Sequence, residues 1–417
     1  MTRRNANLIR ANAAIEFAPA DRPIGRGVAL GIVLLLGLSY AFNGMDRQIF
    51  PALLGPINAE YGLTLAQGGF LSNAFTVNVA VSGALSGWFM ARFGRKATLV
   101  GGLIAFSTFT LLTPFAIGLG DLAFYRAMTG AGEALQISAI FAMIGAFFGN
   151  QRGVYMGINN ALFGAGAFLG PVLGTRLFAA TGSWRLPFIV YGIVGIVMAL
   201  TVLAVMPRRF ATAVDPEKVA DNAGASQLRL LNRNSTLCLL AFGLVGISFF
   251  AYVALYSSYL RSELHYSVTD AGTAFGMYGL GTLTAFFGGW LGERLKKVGL
   301  LAALILLALD SYAMFHGSGA FWEQLVMSFI FGALVSGYLY PRIVAITQRS
   351  VAADQIGHAM SMLLVIFYLP GLVVGYAFGK LVEGPGWGVA STLVVSVPAA
   401  LAFLITTFQD SRKFRGA

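Results

Sequence analysis

Runs of about twenty apolar residues, parted by short polar stretches, recur from one end of the chain to the other, as at 97–120, 186–206, 300–315 and 389–407. At about 1.5 Å per residue such runs, read as α-helices, suit the roughly 30 Å of hydrocarbon in a bilayer. The pattern predicts helices at 27–55, 66–91, 97–118, 121–148, 153–180 and 186–206, then at 236–261, 269–293, 299–316, 320–346, 355–381 and 388–408. A membrane β-barrel would need short alternating segments instead. The longest polar stretch, 207–235, parts the two sets and reads as a cytoplasmic linker. The expectation is an all-α membrane protein with twelve transmembrane helices in two six-helix bundles, 27–206 and 236–408, flanked by a cytoplasmic segment 1–26 and a tail 409–417.

Composition agrees with the pattern: of 417 residues 57% are hydrophobic and 11% charged, with a mean hydropathy of +0.75, so water is not the main solvent. The net charge of +11 invites a nucleic-acid reading, but the basic residues lie between apolar runs and not on one soluble face. Their placement sets an orientation instead. With both termini inside, the cytoplasmic segments collect Arg3, Arg4, Arg10, Arg22, Arg26, Arg92, Arg95, Lys96, Arg152, Arg208, Arg209, Arg294, Lys296, Lys297, Arg342 and Arg349, among others. Only Arg176, Arg185, Arg261 and Lys380 fall on or near the other side. A bacterial inner membrane and a monomer are expected, and the charged, non-apolar start of the chain argues against a cleaved signal. Cys238 is the single cysteine, His265, His316 and His358 are scattered, and no phosphate-binding Gly-Lys-Ser or Gly-Lys-Thr loop occurs, so neither a metal nor a cofactor nor an ATP-driven pump is expected.

The chain also repeats itself. Gly87-Trp88-Phe89-Met90-Ala91-Arg92 returns as Gly289-Trp290-Leu291-Gly292-Glu293-Arg294, Gln151-Arg152-Gly153 with Met156 returns as Gln355-Ile356-Gly357 with Met360, and Trp184 answers Trp387. These residues resemble the major facilitator superfamily, whose signature after the second helix holds Gly, an acid, Arg, Gly, Arg and Lys. Here Gly87, Arg92, Gly94, Arg95 and Lys96 match, but Ala91 stands at the acid's position. The resemblance implies that these residues, with Glu293 and Arg294 in the second copy, gate the cytoplasmic ends of the halves. It implies a weaker lock in the first half. Gly164, Gly166, Gly170, Pro171 and Gly174 look like the family's glycine-rich bend.

Four ionisable residues fall at membrane depth: Asp46 and Arg47 in the first helix, Arg126 and Glu133 seven residues apart on one face of the fourth. In one reading they only neutralise one another and hold two helices together. In the preferred reading Asp46 and Glu133 exchange protons while Arg47 or Arg126 offers its planar fork to an anionic substrate, because buried ion pairs stabilise less well than apolar packing. Asp46-Arg47 together with Arg126, Gly130, Gly132 and Glu133 resembles the anion:cation symporter family, and also the Spinster-like branch associated with lysolipids. The first resemblance implies proton coupling at Asp46 and Glu133, a substrate carboxylate at Arg126, and Arg47 bracing the acids.

Tyr252 and Tyr256, with Tyr259, share a face of the seventh helix, and Gln136, Asn159 and Asn160 are polar positions in apolar runs. All serve either as cavity lining or as packing and interhelical hydrogen bonds. Asp310 in the ninth helix is either a second proton site or a helix-end residue. The expected function is a proton-coupled symporter of a small organic anion such as a sugar acid, working by alternating access. The alternative is a carrier of lysolipid or another amphiphile, and an enzyme or receptor lacks any catalytic constellation.

Overall fold

The computed structural model describes residues 26–148, 152–207, 210, 230–352 and 355–410. The expected segment before residue 26, nearly all of the linker, the tail beyond 410 and Gln151 lie outside the described residues. The first half comprises α1 (Arg26–Ala52), α2 (Leu54–Tyr61), α3 (Leu65–Asn73), α4 (Phe75–Phe93), α5 (Arg95–Leu112), α6 (Leu119–Phe148), α7 (Arg152–Thr181) and α8 (Arg185–Val205). The second comprises α9 (Arg233–Ser262), α10 (Val268–Thr282), α11 (Ala285–His316), α12 (Phe321–Gly332), α13 (Tyr340–Ser350), α14 (Ile356–Tyr368), α15 (Gly371–Glu383), α16 (Trp387–Ser391) and α17 (Val397–Thr407), with π-helical turns at Ala333–Leu339 and Thr392–Ser396.

Eleven helical segments among the described residues are long and apolar enough to cross a membrane. The segment expected at 269–293 is divided: α10 stops at Thr282 and α11 begins at Ala285, running on through the expected ninth helix past a non-helical Lys296. The physical cause is local. Gly279 and Gly281 loosen the helix, Thr284 Oγ1 donates to the Gly281 carbonyl at 2.8 Å, and the Leu283 and Thr284 amides reach back only three residues. Pro370 divides α14 from α15 in the same way, because it lacks an amide hydrogen. The expected second helix is likewise interrupted, at Ala74.

Large apolar side chains such as Trp88, Ile117, Phe287 and Trp322 face outward, as a lipid-facing surface requires. Lipid offers no hydrophobic force between helices, so close packing through small residues must hold them. Across the two halves, α7 packs on α10 and α3 on α15. There Gly164 meets the Gly279 carbonyl, Gly272 meets Thr175, and Gly69 meets the Gly375 backbone. The α3–α15 contact lies at the end opposite the basic loops, where the Glu383 carboxylate accepts from the Ala66 amide at 3.2 Å across the halves.

Candidate functional site

Consecutive residues on an α-helix point about 100° apart, so Asp46 and Arg47 address different neighbours. Asp46 Oδ1 accepts from Thr110 Oγ1 on α5 at 2.5 Å. Arg47 turns to α6, where its Nε and Nη2 donate to Glu133 Oε2 at 3.0 and 2.7 Å. Its remaining nitrogen, Nη1, donates to Tyr368 Oη on α14 at 3.2 Å, so one guanidinium is hydrogen-bonded to both halves. One turn along, the same α1–α6 seam is continued by neutral groups: Asn43 Nδ2 donates to Gln136 Oε1 at 2.9 Å, and Gln136 Nε2 to the Ser39 carbonyl at 2.9 Å.

Arg126 is held differently. Its Nη2 donates to the Ser72 carbonyl at 3.3 Å, beside the interruption at Ala74, and its guanidinium carbon lies 4.9 Å from the Phe50 ring and 5.3 Å from the Phe75 ring. Phe75 also lies 5.0 Å from Arg47, so a single aromatic ring serves two cations. Asp46, Arg47, Arg126 and Glu133 are 3%, 6%, 1% and 0% exposed, which puts two guanidiniums and two carboxyls inside the fold. Three of their polar atoms, Asp46 Oδ2, Glu133 Oε1 and Arg126 Nε, have no hydrogen-bond partner among the described residues. Buried polar atoms left in that condition are costly, which makes their cluster the candidate site.

Glycine sets the spacing. A Cβ on Gly130 would collide with the Phe75 carbonyl and one on Gly132 with α5, so the turn carrying Glu133 reaches its neighbours only because these residues have no side chain. On the other flank of α1, Gly166 and Gly170 of α7 lie against the backbone of Ala41 and Met45, just before Asp46.

The structure brings together Asp46, Arg47, Arg126, Glu133 and, through the α1–α6 seam, Gln136. Asn159 is buried, with its Nδ2 donating to the Tyr155 carbonyl of its own helix at 3.0 Å, while Asn160 is half-buried and makes no side-chain hydrogen bond among the described residues. Tyr252 and Tyr256 are fully buried and stacked 4.7 Å apart in the second half. Their hydroxyls are engaged by Ser328 and Gln324 at 2.7 and 2.8 Å, outside the charged cluster. Asp310 is half-buried on α11, and its Oδ2 has no partner among the described residues.

At the basic end, Gly87 and Arg92 are exposed, Gly94 takes a left-handed φ of 83° between α4 and α5, and Arg95 is half-buried at the start of α5. Glu293 pairs with Arg349 of α13 at 3.7 Å, within the second half, and Arg294 covers the Trp290 ring at 4.2 Å. At the opposite end the Arg185 guanidinium and the Trp184 indole both bond Glu60, holding its carboxyl below the usual carboxylate range.

Sequence reasoning left out Thr110, Ser72, Phe75 and the part played by Tyr368. Thr110 had a signal, a hydroxyl inside an apolar run. Ser72 acts through its carbonyl, which every residue possesses, and Tyr368 is one tyrosine among fifteen.

A bundle of membrane-length helices, whose halves meet through glycine and whose buried Arg47 bonds across from one half to the other, has the architecture of a multi-pass membrane protein. The family comparison is specific: the Major Facilitator Superfamily model matches residues 36–374 and 238–416, and the chain belongs to that superfamily. The hexuronate transporter of Bacillus subtilis (strain 168) is 28% identical over 173 residues, 41% of this chain and 40% of its own. The probable sulfoacetate transporter SauU of Cupriavidus necator is 26% identical over 389 residues, 87% of this chain and 88% of its own. Among solved structures, a bacterial homolog of the human lysosomal transporter Spinster, in an inward-facing and occupied conformation, superposes with a TM-score of 0.69 at 18% identity, covering 92% of this chain and 96% of that one. Together these comparisons make the chain a transporter of the major facilitator type.

Proposed function

We propose that the chain is a proton-coupled symporter of a small organic carboxylate or sulfonate, with twelve spans in two bundles of six and both termini on the cytoplasmic side of a bacterial inner membrane. The observation that carries this reading is Arg47, bound to Glu133 in its own half and to Tyr368 in the other. When Glu133 gains a proton its hold on Arg47 weakens, and the tie between the halves changes with it. Arg126, with no carboxylate bonded to it among the described residues and with its Nε unpartnered, is the group that receives the substrate anion.

Charge arithmetic supports coupling. Two guanidiniums and two ionised carboxyls sum to zero. An entering monoanion makes the cluster negative, and one proton on Asp46 or Glu133 restores neutrality, so the loaded cluster passes between states without a bare charge in low dielectric. The contacts of α3 with α15 belong to the state closed on the outer face, and the basic loops of the first half together with the Glu293–Arg349 pair belong to the inner gate.

Glu133→Gln tests this in proteoliposomes: gradient-driven uptake is abolished while substrate counterflow is largely retained. Equal loss of both would make Glu133 a structural acid and end the coupling proposal.

A second reading rests on one observation, an almost wholly apolar groove of about 470 Å³ between α4 and α14, lined by Val77, Ala80, Val365, Leu369 and Tyr368. It suits the tail of an amphiphile whose head reaches Arg47 through Tyr368. A thermal-shift panel of sugar acids, aromatic acids, sulfoacetate and lysolipids separates the two readings, and stabilisation by lysolipid alone would favour the second.

A further inference from the structure

The face opposite the basic loops holds another cavity, of about 590 Å³, whose lining shares no residue with the charged cluster. Gly55 and Asn58 of α2 form one wall. Ser257, Ser258 and Arg261 at the end of α9, with Trp387 opening α16, form the other, so each half supplies one side. Arg261 is the only charged residue of the lining among the described residues.

Arg261 differs from the paired cations on this face and, unlike the exposed Arg176, it is half-buried. Arg185 is paired with Glu60 and Lys380 with Glu383. Arg261 has neither an ion pair nor a hydrogen bond among the described residues, and its enclosed Nε has no partner. The backbone makes room for its head: a Cβ on Gly55 would stand 2.6 Å from Arg261 Nη1, so any larger residue there displaces the guanidinium. Asn58 and Ser258 add an amide and a hydroxyl to the same cup, and no acid enters it to oppose an anion.

We propose that this cup is a second anion-binding subsite, outside the charged cluster, for the carboxylate class of small organic anions. A guanidinium without a counter-ion, recessed between low-dielectric walls, concentrates anions. Because both halves build the cup, it exists in the state closed on this face, and an anion held there favours that state. That the anion is also transport cargo rests on the function proposed above; the binding itself does not.

Trp387 supplies the readout. In nanodiscs of zwitterionic lipid at fixed ionic strength, its emission is isolated by subtracting that of Trp387→Phe from the wild type. It is then quenched by iodide, an anion, and by acrylamide, a neutral probe of access. The ratio of iodide to acrylamide quenching is expected to be about three- to fivefold higher in the wild type than in Arg261→Gln, the enrichment that one unit charge gives at contact in water. Arg261→Lys keeps the ratio, and acetate lowers it by competing for the cup. Equal ratios in wild type and Arg261→Gln, or a ratio that acetate leaves unchanged, would overturn the assignment. Absence of organic-anion uptake by the wild type, with the ratio intact, would sink the transport reading alone.

Discussion

Arg47 performs a task that lysine cannot. Its fork places two nitrogens on Glu133 and keeps a third for Tyr368, while its central carbon lies 5.0 and 5.6 Å from the Phe75 and Phe163 ring centres. An ammonium keeps the charge but not that geometry. Arg47→Lys is therefore expected to lower uptake by at least about tenfold, the effect of losing one charge-assisted hydrogen bond. Tyr368→Phe, which removes only the hydroxyl, is expected to give a smaller loss in the same initial-rate assay. A milder residue-scale effect lies outside the membrane, at Glu60. Because Arg185 and Trp184 hold its carboxyl below the ordinary range, the link contributes stability above the unfolded-state pKa and loses it as pH falls through the folded one. In thermal melts across acidic pH, the advantage of wild type over Glu60→Gln should shrink as pH falls. It should stay below about 1 kcal/mol, since the pair is partly exposed and screened. The four membrane charges were legible in the sequence because hydrocarbon makes any ionisable residue conspicuous. Thr110 and Tyr368 were not, since a hydroxyl in an apolar helix serves packing, caps or sites alike until its partner is known.

At the scale of helices, the glycines of α6 and α7 decide how near the charged turns stand to one another. Gly130→Ala puts a methyl group against the Phe75 carbonyl, a backbone atom that cannot swing aside. Overpacking of this kind costs about 1–3 kcal/mol. The expected outcome is a lower melting temperature in detergent together with weakened uptake, whereas Gly101→Ala on α5, where a Cβ meets nothing within 4 Å, should change neither. The helical runs themselves followed from apolar length, and most boundaries fell within a few residues of the pattern. The eighth helix departed from it. Hydropathy is continuous through residues 269–293, but the Gly-Leu-Gly-Thr-Leu-Thr stretch breaks the hydrogen-bond ladder, a backbone effect that an apolar pattern does not register.

For the molecule as a whole, the closed face is held where Gly69 meets Gly375 and Glu383 reaches the Ala66 amide. Cysteines at Thr64 and Glu383, joined by a short thiol cross-linker, should hold that face shut and stop uptake, while either single substitution labelled alone should not. Native Cys238 is buried and serves as an internal blank. Full uptake by the cross-linked protein would contradict opening on this face. The sequence alone determined that the chain carries membrane-length apolar helices, that short motifs recur in its two parts, and that Asp46, Arg47, Arg126 and Glu133 are the charges to explain. Length, hydropathy and the cost of charge in hydrocarbon are local quantities that can be read one segment at a time. Only the tertiary structure decided that Arg47 takes Glu133 and Tyr368 together, that Asp46 turns to Thr110, and that Tyr252 and Tyr256 spend their hydroxyls inside the second half. Those pairings join residues up to 321 positions apart. They depend on the rotation and spacing of whole helices, which glycine contacts set between chains of atoms that no single segment contains.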